Sequence, residues 1–249
     1  MRMFELIKDQ NKKIKKVVFV TGAGISQESG IPTFRGKDGL WRNHDPMKLA
    51  TIDAFYNNPE LVWEWYNERR DNVFQAQPNQ GHKAIVELEK YAEVVILTQN
   101  IDGLHQKDGS SKVLELHGSI MTIKCSVCKF KADILAKFSK NPPLCKCGNL
   151  LRPDVVWFGE SLPQEVWQQA MDFASNCDLM IIVGTSLIVS PANTLPIYAQ
   201  QNNATLIEIN LENTEMSSEM DLVINNSSSI ALPKLISLFK EIKSQNEKL

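Results

Sequence analysis

Four of the five cysteines crowd into one stretch: Cys125 and Cys128, sixteen intervening residues, then Cys145 and Cys147. Close pairs of this kind sit on tight turns, so that two thiolates approach one ion and the intervening chain returns to present the other two. Four thiolates fill a tetrahedral shell and leave no position for water, which predicts one structural Zn2+ in a zinc ribbon without Lewis-acid chemistry. Two unrelated cysteine pairs are the alternative. A second pairing of side chains, Tyr66 and Arg69, lies three residues apart in an aromatic-rich stretch and shares one face if that stretch is a helix. A phenol and a guanidinium so placed could jointly hold a carboxylate, with the arginine in a charge-assisted pair. A core tyrosine beside a solvated arginine, partnered by Glu68 or Asp71, is the plainer reading.

A third group follows the apolar β-branched run Val17–Val20 and opens on Gly22, Ala23, Gly24, Ile25 and Ser26. A strand that empties into glycines lets backbone N–H groups approach a ligand, and this is how parallel α/β sheets hold a dinucleotide pyrophosphate. Gly22 and Gly24 are the expected close-approach positions. Gln27 stands where the third glycine of the dehydrogenase fingerprint belongs, so the run points to a different nucleotide enzyme. It continues through Gly30, Phe34, Arg35 and Gly36 to Trp41, and this loop is expected to order when a nucleotide binds.

The elements that must carry these groups follow from hydrophobic patterning. Short apolar runs at 17–20, 94–98, 179–184, 206–210 and 221–224 alternate with amphipathic stretches such as 81–90 and the segment beyond Leu232. That alternation predicts an α/β fold, a Rossmann-like doubly wound parallel sheet with helices on both faces. Residues 37–80 and 119–151 break the pattern, as a helical insert and the cysteine-bearing segment, and together they form a smaller second domain. The large domain is then residues 1–36 with 81–118 and 152–249. At 249 residues the chain suffices for both.

Composition narrows the partners. A net charge of −2, and no basic aromatic surface around the cysteines beyond Lys124, Lys129 and Lys131, argue against nucleic-acid binding. The run Lys12–Lys16 reads as a solvated face beside the first strand. Charges interrupt the apolar residues near Met1, and the longest apolar runs fall far short of a membrane span, so a cytoplasmic monomer with reduced thiols is expected. Cys177, just ahead of an apolar run, reads as a small buried residue.

Further motifs complete the set in order: Gln99, Asn100, Ile101 and Asp102 at a strand end; Leu116-His117-Gly118; Arg152 through Phe158, Gly159 and Glu160; Gly184, Thr185 and Ser186; and Asn210, Leu211 and Glu212. Across residues 17 to 235 this order resembles the sirtuin family, the NAD-dependent protein lysine deacylases. The resemblance implies a cleft between the two domains that holds NAD and an acyl-lysine. Gly22 to Trp41 would form the cofactor loop, and Gln99 to Asp102 the nicotinamide-ribose pocket. Gly184 to Ser186 would contact phosphate and ribose, Asn210 to Glu212 the adenosine ribose, and Ser228 would close over adenine. His117 and Asn100 would be catalytic. In the family the acyl oxygen attacks C1′ of the nicotinamide ribose, and the histidine then acts as general base for a ribose hydroxyl. The products are lysine, nicotinamide and O-acyl-ADP-ribose. Substrate would add as a strand between Phe158–Glu160 and the segment holding Leu187 and Val189, with little sequence discrimination.

Tyr66-x-x-Arg69 resembles the branch of that family that removes succinyl and malonyl groups, with acetyl removal persisting alongside. Two details depart from the family pattern: the second cysteine pair is Cys-x-Cys, and the stretch after His105 lacks the usual Ala-Gly. The rival readings are a generic lysine deacetylase, a mono-ADP-ribosyltransferase and a noncatalytic NAD-sensing module. A dehydrogenase would need the missing third glycine.

Overall fold

The computed structural model describes residues 14–35, 39–42, 45–134 and 142–246. Residues 1–13, Gly36 and the side chain of Trp41 lie outside the described residues, and with them part of the expected cofactor loop and of the basic run.

Six parallel strands form the main sheet: β1 (Lys16–Thr21), β2 (Glu93–Thr98), β3 (Val113–Glu115), β7 (Leu179–Val183), β8 (Thr205–Asn210) and β9 (Leu222–Asn225). Their order is β3-β2-β1-β7-β8-β9, so the chain reverses direction of winding beside β1. Val17, Phe19, Ile96, Ile181 and Ile207 pack on one face with the helices Gln80–Leu88 and Ser228–Asn246. Val18, Val20, Val95, Met180 and Leu206 pack on the other, against Gln164–Ser175 and Leu195–Gln201. Burial on both faces explains why these strands are continuous apolar runs without alternation. Register aligns Thr21 with both Thr98 and Val183, and Val183 with Ile209. The segments that follow β1, β2, β7 and β8 therefore emerge along one sheet edge, where ligands bind in open α/β sheets.

A three-stranded antiparallel sheet, order β5-β4-β6, holds β4 (Gly118–Cys125), β5 (Lys131–Asp133) and β6 (Leu151–Val155). The boundary expected at residue 152 falls inside β6. Pro153 hides that strand from sequence reading; proline is tolerated there because β6 lies at the sheet edge. The three-residue β3 also escaped detection, being too short to show a period. The helix Pro59–Gln75 starts where the Asn58 side chain accepts the Leu61 N–H and Pro59 fills the first turn. It packs Val62, Trp63 and Tyr66 with Ile120, Ile123 and Trp157 in a separate core. Trp63 Nε1 donates to the Leu151 carbonyl (2.9 Å) and Arg70 Nε to that of Ile120 (2.9 Å), tying helix to sheet. Among the described residues no helix is long and apolar enough to cross a membrane.

Candidate active site

The sulfurs of Cys125, Cys128, Cys145 and Cys147 all lie within 4.8 Å of one another. Two of the separations, Cys125–Cys147 at 3.6 Å and Cys128–Cys145 at 3.7 Å, match the ~3.8 Å edge of a tetrahedron with Zn–S bonds of about 2.3 Å. Backbone N–H groups of Val127 and Cys128 donate to Cys125 Sγ, which favours the thiolate a metal requires. Gly148, at φ +86°, turns the second pair, so Cys-x-Cys serves as well as the longer spacing. The donor set fits a closed, structural zinc site at the far end of the small sheet.

A cleft of about 960 Å3 opens between the two domains at the carboxyl edge of the main sheet. That is large among ligand pockets, which run ~300–1,000 Å3, and is room enough for a dinucleotide with a side chain beside it. Gly22, Ala23, Gly24, Phe34, Arg35, Gln99, Asn100, Ile101, His117, Gly184, Thr185, Ser186, Asn210, Leu211, Glu212 and Ser228 line it, together with Tyr66, Arg69, Phe158, Gly159, Glu160 and Val189. The Ser228 hydroxyl is buried without a partner among the described residues, a polar group left over at the cleft wall.

The glycines act differently from the sequence expectation. The N–H of Gly22 is already donated to the Val183 carbonyl (3.0 Å) and that of Gly24 to Gly184 (2.8 Å). A Cβ on Gly22 would stand 2.7 Å from Thr185 Cβ, and one on Gly24 2.7 Å from Gly184 Cα. Close approach is thus demanded by two backbone loops packing on each other, and the ligand face is a consequence. The segment Ala23–Ser29 then winds as a 3-10 helix, closed by Gly30 at φ +85°.

Below the cleft floor lies a chain of side-chain hydrogen bonds. Asn100 Nδ2 donates to the Gly22 carbonyl (3.1 Å) and to Ser26 Oγ (3.2 Å), and Ser26 Oγ donates to Asp102 (2.8 Å). Asp102 also accepts the Leu104 N–H (2.9 Å). Burial raises the Asp102 pKa, opposed by these two bonds and by the charge of Arg69. Ile25, Ser26, Gly30 and Asp102 do not line the cleft. They hold its floor, a supporting role that motif matching does not separate from contact.

His117 stands where the chain crosses from β3 to β4. Gly118, at φ +75°, makes that crossing, and a Cβ there would meet the Asp154 carbonyl oxygen at 2.0 Å. His117 Nδ1 lies 3.0 Å from the Gln99 carbonyl oxygen, which can only accept. Nδ1 therefore carries the proton and Nε2 is the basic nitrogen. Burial pulls the His117 pKa down, partly offset by the Gln99 bond, so the ring is neutral near pH 7. Gln99 Nε2 in turn donates to Thr185 Oγ1 (2.9 Å) and Asn210 Nδ2 to the Thr185 carbonyl (3.0 Å), joining three strand ends.

The opposite wall belongs to the small domain. Tyr66 is 1% exposed, and its hydroxyl accepts the Trp157 indole N–H at 2.9 Å. The Arg69 guanidinium lies 4.4 Å from the Trp65 ring centroid and 4.8 Å from that of Phe34. No carboxylate among the described residues ion-pairs with it. Burial lowers the Arg69 pKa, opposed by Tyr66 and by the charge of Asp102, and burial raises that of Tyr66. Arg69 is half-buried against aromatic rings, which departs from a fully solvated arginine.

Two expected substrate contacts need correction. Leu187 adopts φ +53° and turns into the core, leaving Ile188 and Val189 on the cleft. The resemblance named Leu187 as a substrate contact, and its left-handed backbone turns the side chain away from the cleft instead. Glu160 borders the cleft, but its carboxylate is committed to Arg152 in a bidentate pair (2.7 and 2.8 Å) and to the Trp157 N–H (2.8 Å). Residues that the sequence reading missed include Trp65, Trp157, Thr214 and Asn226. Trp65 and Trp157 stood inside quoted motifs, and their bulk beside Tyr66 and Phe158 was the available signal.

Comparison with known proteins agrees with this geometry. A family model described as "Sir2 family" matches residues 22–191. The NAD-dependent protein deacylase of Aquifex aeolicus is 46% identical over 228 residues, covering 90% of this chain and 95% of the relative. NAD-dependent protein deacylase 2 of Pyrobaculum aerophilum is 49% identical, over 88% of this chain and 89% of its own. Among solved structures, a Sir2 homolog–NAD complex superposes with a TM-score of 0.87 at 41% identity, over 97% of this chain and 94% of that one. A Sir2–p53 peptide–NAD+ complex superposes at 0.81 with 34% identity over the whole of both chains. With sequence, strand order and cleft in agreement along nearly its full length, this chain belongs to the Sir2 family.

Proposed function

We propose that this Sir2-family enzyme is an NAD-dependent protein-lysine deacylase that prefers acyl groups ending in a carboxylate, succinyl and malonyl above acetyl. The observation that carries the preference is Arg69: a half-buried guanidinium at the cleft wall, stacked against the Trp65 and Phe34 rings, with no ion pair among the described residues. Tyr66, three residues away on the same helix, lines the same cleft.

NAD, when held in this cleft, would supply an electrophilic ribose carbon for the acyl oxygen, with nicotinamide as the leaving group and the ADP-ribose retained on the acyl oxygen. The chain provides orientation and proton transfer. Gln99 fixes the His117 tautomer through its carbonyl, so that Nε2 is free of its proton and serves as general base toward a ribose hydroxyl. Asn100 is held rigidly by Gly22 and Ser26, which keeps the floor beneath the ribose from moving. A zinc ion held by Cys125, Cys128, Cys145 and Cys147 would be structural and would secure the sheet after which Trp157 follows. A peptide lies between Phe158–Gly159 and Ile188–Val189, bound mainly through its backbone.

The test compares kcat/KM for one peptide bearing acetyl-, succinyl- or malonyl-lysine, with NAD, in wild type and Arg69→Met. A charge-assisted contact is worth ~1.5–3 kcal/mol, so wild type should favour the acidic groups about ten- to a hundredfold and the variant should lose that margin. Acetyl preferred by wild type, with no response to Arg69→Met, would reduce the protein to a plain deacetylase.

A further inference from the structure

The Tyr66 hydroxyl has one proton to give and can also accept. Its accepting side is occupied: Trp157 Nε1–H points at it from 2.9 Å, a contact between residues 91 apart in sequence. No acceptor for the hydroxyl's own proton lies among the described residues, so that proton is available to whatever enters the cleft. Left to itself a buried phenol could turn its O–H either way. With the indole N–H in place, the Tyr66 O–H must turn away from Trp157, leaving it to whatever acceptor enters the cleft that Tyr66 lines.

Trp157 is in turn gripped from several sides. The Arg152 guanidinium stacks on its ring at 3.4 Å, the Phe55 ring lies 5.3 Å away, and its backbone N–H is donated to Glu160. The ring is 2% exposed. The Arg152–Glu160 pair, set aside above as a substrate contact, thereby has a purpose: it fixes the plane of the indole.

We propose that Trp157 is a specificity-positioning residue, whose indole N–H commits the Tyr66 hydroxyl to donate its proton to an acyl carboxylate held by Arg69. The inference rests on the carboxylated-acyl reading and deepens it. Removing the N–H should weaken only substrates that accept from Tyr66, and should do so through KM, because bond cleavage itself occurs against the opposite wall.

Trp157→Phe keeps an aromatic ring under Arg152 and removes the donor. For a succinyl-lysine peptide, KM should rise about three- to tenfold with kcat near wild type, while the acetyl-lysine peptide changes less than twofold. In a Tyr66→Phe background the same substitution should add nothing, since the hydroxyl it acts through is gone. Equal losses for acetyl and succinyl, or additive losses in the double variant, would reduce Trp157 to packing and overturn the proposal. If Trp157→Phe does not fold, 3-benzothienylalanine introduced at position 157 replaces the indole nitrogen with sulfur, and its KM values are read the same way. A wild type indifferent to the acyl carboxylate would overturn both readings. A wild type that prefers succinyl, and keeps that preference without the N–H, would overturn only this one.

Discussion

The two walls of the cleft are held by different physics. On the large-domain side, Gln99, Asn100, His117, Thr185 and Asn210 sit at the ends of parallel strands and are cross-tied by hydrogen bonds, each side chain with an assigned partner. On the small-domain side, Tyr66 and Arg69 project from one helix and are steered by aromatic rings and a single indole N–H. A dense polar network fails when any member is lost, whereas a stacked wall can change one residue and keep its shape. On the proposed reading, chemistry is invested in the rigid wall and acyl choice in the adaptable one, so selectivity could shift without disturbing the reaction.

The sharpest way to break that division is to remove the zinc. Structural zinc binding contributes on the order of 10 kcal/mol to folding of such modules, so a strong chelator, or Cys125→Ser, should melt the small sheet and abolish all activity. Hydrogen exchange should show β4 and β6 opening while β1 and β7 stay protected. If both domains open together, the walls are not independent.

His117→Ala removes the general base and should lower kcat by ~10²–10⁴ for acetyl and succinyl substrates alike. Unequal losses would place part of the acyl selectivity on the wrong wall. The acid limb of kcat/KM should lie below pH 6.5, because burial depresses the His117 pKa and the base stays neutral into mild acid.

Acid should loosen the large domain first. His82 and His105 lie with tilted rings 4.9 Å apart within it, and burial depresses both, to about 4 and about 3. Their contribution to stability is complete above the unfolded value near 6.5 and is lost as pH falls toward the folded values. For His82 alone the loss by pH 4 is about 3 kcal/mol, readable as a falling urea midpoint that His82→Asn should flatten. The smallest effect is the most selective one: Arg69→Met should cost about ten- to a hundredfold on succinyl and malonyl substrates and leave acetyl and Tm nearly unchanged.

Most of the large domain was legible in the chain. Four buried strands and the half-buried β9 announce themselves as apolar runs, and the motifs that follow them must share an edge once the strands are parallel. The zinc site was equally legible, since its ligands are close neighbours in sequence. What escaped were β3 and all three strands of the small sheet: β3, β5 and β6 are short and edge-lying, β6 is interrupted by proline, and the longer β4 carries a mixed polar pattern that pairing alone makes a strand.

Residue types and spacing by themselves determined the fold class, the four metal ligands and the presence of a tyrosine and an arginine on one helix face, while His117 stood out only through the family resemblance. Tertiary structure decided what those residues are free to do. It showed that Gly22 and Gly24 already spend their N–H groups on neighbouring strands, that Glu160 belongs to Arg152, and that Leu187 turns inward. It also joined Trp157 to Tyr66 across 91 residues of chain. The reason is that sequence fixes which donors and acceptors exist, but each hydrogen bond consumes one, and only the packed chain shows which remain for a substrate.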